Sequence, residues 1–212
     1  MNSRSQPRWQ RRSEDRPREI CEAALEVFAE KGFAAAKLDE IARRAGVSKG
    51  TLYLYFKDKQ ELFRAVVRSA IAPNIETVAG AVLASEIPFA DAVRGLLARF
   101  AETAQRKPVG AVAKMVVGES RNFPELARVW HDEVASKALG AIAALIERAQ
   151  QRGDVRAGDP RLYAFSIMGP MVMGALWQAT LAPAGGKPLD LSRLAQQQAE
   201  TVLEGLLTER VP

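Results

Sequence analysis

Cysteine and histidine are nearly missing from this chain of 212 residues, which has one of each. Their scarcity removes whole classes of chemistry. A lone Cys21 cannot close an intramolecular disulfide. His131 is flanked by Asp132 and Glu133, but consecutive residues on a helix point in different directions, so these three do not form a metal site. With no glycine-rich phosphate loop and no cluster of acids, no catalytic constellation can be assembled; the expectation is a protein that is not an enzyme and uses no cofactor or metal. Long apolar runs are missing too. The longest uncharged stretch, Leu162 to Gly186, is interrupted by Pro170, Gln178, Thr180 and Pro183 and falls short of the roughly 20 apolar residues that a membrane span requires. The opening MNSRSQPRWQRRSEDRPRE lacks the apolar core of a signal peptide, so the chain is expected to be cytoplasmic, with no membrane partner.

What is present is an ordinary globular composition, 48% hydrophobic and 26% charged, in a chain long enough to bury a sizeable core. The net charge of +5 is unevenly placed. Residues 1–60 hold 13 Lys and Arg against 9 Asp and Glu, an excess of 4, whereas residues 61–212 hold 17 against 16. An anionic partner would therefore dock near the N-terminus.

Apolar residues recur at helical spacing along the chain, and no segment alternates as a strand does. Residues 1–15, with Arg4, Arg8, Arg11 and Arg12, lack such a stripe and are expected to form a flexible basic arm; contact with the DNA backbone or minor groove is the alternative to a solvated tail. Ile20, Ala24, Val27 and Phe28 mark a first helix from Arg16 to Lys31, stopped by Gly32. A short helix from about Lys37 to Ala45 follows, then Gly46. Ser48 is placed to cap a helix through Phe56, and Asp58 with Glu61 forms a capping-box variant opening the next. Later helices are expected at roughly 74–84, 89–106, 109–119, 124–151, 160–181 and 190–208. The sum is an all-α protein of about nine helices: the arm, an N-terminal three-helix unit over 16–62, and a C-terminal bundle over 63–212.

Two short helices joined by Ala45-Gly46-Val47-Ser48 fit a helix-turn-helix. Gly46 suits a turn needing positive φ, and Ile41, Ala45, Val47 and Leu52 would lock the helices together. The second helix keeps a polar face bearing Lys49, Gly50, Thr51, Tyr53 and Tyr55, which suits a major groove. The segments AALEVFAEKGF (23–33) and IARRAGVSKGTLYLYFKDKQELF (41–63) closely resemble the DNA-binding domain of the TetR family, over about the first third of the chain. The resemblance implies that Lys49, Gly50 and Thr51 approach bases and that Tyr53, Tyr55 and Lys59 hold phosphates. One departure is visible: where the family places hydroxyl residues before the second helix, this chain has Ala35, Ala36 and Lys37. The usual N-cap is missing, and Lys37 is left as a substitute phosphate contact.

The all-round apolar segment Phe165–Trp177 and the amphipathic last helix are expected to pair two copies into a homodimer, as the family does. Methionine and tryptophan in such a segment serve packing more often than binding, but flexible methionines also line adaptable cavities; Met115, Trp130, Met168, Met171 and Trp177 are the pocket candidates. ESRNFPELA (119–127) is more loosely similar to AcrR- and AefR-like C-terminal domains. The whole implies a repressor that binds a double-stranded palindromic operator as a homodimer and is released by a small hydrophobic inducer. The alternative is a helical interaction or scaffold protein of the same fold that does not bind DNA.

Overall fold

The computed structural model describes the backbone of residues 8–71, 80 and 87–208, with side chains described from Asp15 onward except those of Ala70 and Ile71. The elements are α1 (Arg8–Ala35), α2 (Leu38–Arg44), α3 (Lys49–Tyr55), α4 (Lys59–Val66), α5 (Phe89–Arg106), α6 (Val109–Glu119), α7 (Pro124–Trp130), α8 (Ser136–Gln151), α9 (Pro160–Thr180) and α10 (Leu191–Leu206). A π-helical turn, Val67–Ile71, continues α4, and a second, His131–Ala135, joins α7 to α8 without a break. Counted as continuous runs there are nine helices among the described residues, and no strand beyond one isolated bridge between Val155 and Leu207. The helix expected at 74–84 lies, apart from Gly80, outside the described residues.

One expectation changes. The first helix begins at Arg8, so half of the expected arm is helical. Its composition explains this: Arg, Gln and Glu are good helix formers, and Arg18 lies 3.8 Å from both Asp15 and Glu22 at i−3 and i+4. Pro17 sits inside the helix without ending it. The N-terminal and C-terminal units also share a core. One core cluster unites Ile20, Val27, Phe28, Ile41, Leu52 and Phe63 of the N-terminal unit with Val112, Met115 and Val116 of α6 and Leu126 and Val129 of α7. The N-terminal unit therefore does not close its own core, because α1 packs directly on α6. A second cluster, built on Phe89, Leu97, Ile146, Ile167, Met171 and Leu203, holds α5, α8, α9 and α10 together.

At the junction an aromatic group fixes the geometry. Phe28 and Phe33 stack at 5.7 Å, Phe63 meets both edge-on at 5.8 and 6.0 Å, and Phe123 meets Phe33 at 5.0 Å. Burying the rings of Phe28, Phe33 and Phe63 stabilises the fold by about 1.5–3 kcal/mol each, and the partly buried Phe123 contributes less. No helix among the described residues is long and apolar enough to cross a membrane.

Candidate DNA-reading face and ligand cavity

Local chemistry sets α3. Gly46 takes φ +66, a conformation that side chains resist, and turns the chain out of α2. The Ser48 hydroxyl accepts the backbone N–H of Thr51 at 3.0 Å and caps the helix. Leu52 is fully buried and Phe56 nearly so, which pins one face of α3 to the core. The opposite face carries Lys49 and Gly50, both exposed, and one turn later Tyr53 at 47% and Leu54 at 83% exposure. Leu54 was not among the residues expected there; its i+4 relation to Gly50 was the available signal.

Lys49 pairs with Asp39 of α2 at 2.7 Å, and this hydrogen bond pushes its ammonium pKa up. Both side chains are more than half exposed, a setting in which ion pairs are weak, so the lysine is available to a competing anion. Thr51 is half-buried, its hydroxyl 2.8 Å from that of Ser48. Tyr55 is half-buried against the N-terminal core, its ring 6.5 Å from that of Phe56. Lys37 is exposed at the N-cap of α2 and makes no side-chain cap, as its sequence implied.

Lys59 departs from the expectation. Its ammonium donates to the carbonyls of Phe33 (2.5 Å), Ala34 (3.1 Å) and Ala36 (3.0 Å) and lies 4.6 Å from the centre of the Phe33 ring. Three protons meet three acceptors, so the group expected to hold a phosphate is engaged inside the protein. Burial pushes its pKa down, and Glu119 nearby opposes that. At the start of α4, Asp58 caps the Glu61 N–H at 2.8 Å, while Glu61 reaches back to the Lys57 N–H at 2.8 Å.

Between α5, α6, α8 and α9 the C-terminal bundle forms a cavity of about 540 Å³ that opens to solvent, with Val134 and Ala135 of the π turn in its lining. That volume is in the range of small-molecule sites. Of the five expected pocket residues, Trp130 and Met168 line it. Met115 does not: it points into the core shared by α1 and α6. Nor does Met171, which is fully buried between the helices of the second core. Trp177 has another task, donating its indole N–H to the Lys187 carbonyl at 2.9 Å and so anchoring the link before α10. The walls are instead Leu96 and Phe100 of α5, Ala113 of α6, Leu139 and Ile142 of α8, and Phe165 and Met173 of α9. At Gly110 the backbones of α6 and α9 approach so closely that a Cβ would overlap the Ala175 carbonyl. Among the described residues, Arg99 is the one charged residue in the lining.

Comparison with known proteins agrees with this architecture. The profile for bacterial regulatory proteins of the tetR family matches residues 20–66, and that for the tetracyclin repressor-like C-terminal domain matches residues 88–185. The HTH-type transcriptional regulator YhgD of Bacillus subtilis is 30% identical over 158 residues, which span 73% of this chain and 79% of that protein. A TetR-family transcriptional regulator of Mesorhizobium loti superposes with a TM-score of 0.72 at 26% identity, covering 93% of this chain and 99% of that one. FadR of Bacillus subtilis, solved in complex with stearoyl-CoA, gives 0.71 at 22% identity, covering 89% and 98%. Matches to both halves of the fold, and a relative similar through most of its length, mean that the chain belongs to the TetR family of bacterial regulatory proteins.

Proposed function

We propose that this transcriptional regulator is a repressor acting as a homodimer on a palindromic operator, and that a small hydrophobic molecule in the α5–α9 cavity releases it. The carrying observation is α3 itself, a capped helix anchored by Leu52 with Lys49, Gly50, Tyr53 and Leu54 turned outward. Lys49, Gly50 and Thr51, at its N-terminal end, would read base edges; Leu54 would meet a thymine methyl; Tyr53, Tyr55 and Lys37 would contact the backbone. Two copies would set their recognition helices about 34–36 Å apart, matching successive major grooves. Of the exposed apolar side chains of α9, Phe165, Val172 and Met173 line the cavity, and Leu162, outside it, supports pairing through that helix.

The cavity's lining supports the inducer class. Apart from Arg99, Thr103 and Trp130 the side chains that line it among the described residues are apolar, and none of these is acidic, which disfavours cations and suits an apolar body with an anionic end at Arg99. The structural likeness to FadR carries the fold alone.

Binding to random-sequence DNA followed by selection and gel shift tests the DNA reading. The expected result is a selected palindrome bound in preference to scrambled DNA at moderate salt, with Thr51→Ala changing the selected sequence. Equal binding to all duplexes, or none, would favour a scaffold protein of the same fold.

A further inference from the structure

At the C-terminal end of α6 one carboxylate joins the two halves of the molecule. α1 leaves helical geometry at Gly32, with φ +77 and ψ 176, so the next two N–H groups turn outward. Both are taken by Glu119, the last residue of α6: Oε1 accepts from Phe33 at 2.8 Å and Oε2 from Ala34 at 2.6 Å. A side chain at position 32 would overlap that carboxylate. The carbonyls of the same segment belong to Lys59 of α4, so residues 33–36 are gripped from α6 on one side and from α4 on the other. This segment leads directly into α2, whose N-cap, Lys37, makes no side-chain cap of its own. The start of α2 is therefore placed by the grip on its lead-in, and α2 packs on α3.

The same α6 forms a cavity wall through Gly110, Ala113 and Val116. Val116 is one helical turn from Glu119, about 4.5 Å along the axis. We infer that Glu119 is the positioning residue that couples the cavity to the recognition helix: an occupant that shifts α6 moves the carboxylate, loosens Phe33 and Ala34, and lets α2 and α3 turn away from their DNA-bound setting. Short charge-assisted hydrogen bonds make the link sensitive to small displacements. The inference rests on the cavity being the inducer site.

Anilinonaphthalene sulfonate, an apolar dye with one anionic group, serves as cavity probe, and its affinity is measured with and without saturating selected operator. Allosteric coupling is reciprocal, so operator should weaken dye binding to the unmodified protein by about 5-fold or more. In Glu119→Gln that ratio should fall close to one, while dye affinity for the free protein stays within about 2-fold, a pattern that loss of stability alone does not produce. Hydrogen exchange on the unmodified protein gives a second reading, free of any folding defect: dye should speed exchange at the Phe33 and Ala34 amides. A ratio of one in the unmodified protein overturns the cavity reading and the coupling with it. A clear ratio that survives Glu119→Gln, or unchanged exchange at those two amides under saturating dye, overturns the role of Glu119 alone.

Discussion

The DNA-reading unit and the cavity are built in opposite ways. The end of α2, all of α3 and the start of α4 are specified within some twenty residues by turn and capping chemistry: Gly46 for the turn, Ser48 and Asp58 for the helix starts, Leu52 and Phe56 for the seat. The cavity draws on side chains from Leu96 to Leu176, each contributing a wall and none defining the site alone. Short-range design gives a rigid reading head; long-range convergence gives a space whose shape can vary while the fold persists.

Several substitutions would break or sharpen this contrast. The largest effects belong to the shared core. Leu52→Ala and Met115→Ala should each lower unfolding free energy by about 2–5 kcal/mol in urea denaturation, and Met115→Ala should leave dye affinity unchanged because that side chain faces away from the cavity. A large drop in dye binding with retained stability would return Met115 to the pocket. Next comes Lys59→Met. Leaving three carbonyls without their charged donor should cost about 1–3 kcal/mol, yet the salt dependence of operator binding should keep its slope. Lys49→Ala should lower that slope by about one unit. A reduced slope for Lys59→Met would restore that lysine to the phosphate contacts.

The smallest effect lies where the halves meet, at Glu133. Its carboxylate is hydrogen-bonded by Arg68 of the first π turn and by Lys137, which hold its pKa below the ordinary range. A depressed carboxylate pKa stabilises the folded state above the unfolded value and loses that contribution as pH falls through the folded one. The stability difference between the unmodified protein and Glu133→Gln should therefore be present at neutral pH and fade below roughly pH 4, at no more than about 1 kcal/mol since Arg68 is well exposed. A difference that grows on acidification would contradict this assignment.

The legibility of the two regions follows from the same contrast. Caps, turn glycines and helical spacing act over three or four residues, so the helix-turn-helix, the start of α4 and most later helices could be read directly from the chain. Lys59 could not, because its partners are the carbonyls of residues 33, 34 and 36. A lysine at a helix N-terminus looks alike in sequence whether it faces phosphate or folds inward. The pocket was half legible for a related reason. Residue type suggested Met115 and Met171, but which face of a buried helix meets empty space depends on how neighbours pack, and that left Phe100, Leu139 and Phe165 unnoticed. Glu119 was visible only as part of a loose family likeness.

The π turn at His131–Ala135 has a consequence for how the chain tolerates length changes. A π turn holds one residue more than an α turn, and this one lies between Val129, seated in the N-terminal core, and Leu139, facing the cavity. Deleting a single residue there would let the turn tighten to regular winding, and because the lost residue and the lost extra width offset each other, Leu139 and Ile142 would keep nearly their present bearing. One residue can therefore be lost at this turn without turning the helix beyond it, whereas the same loss in a regular turn of α6 or α9 would swing every later side chain by about 100°.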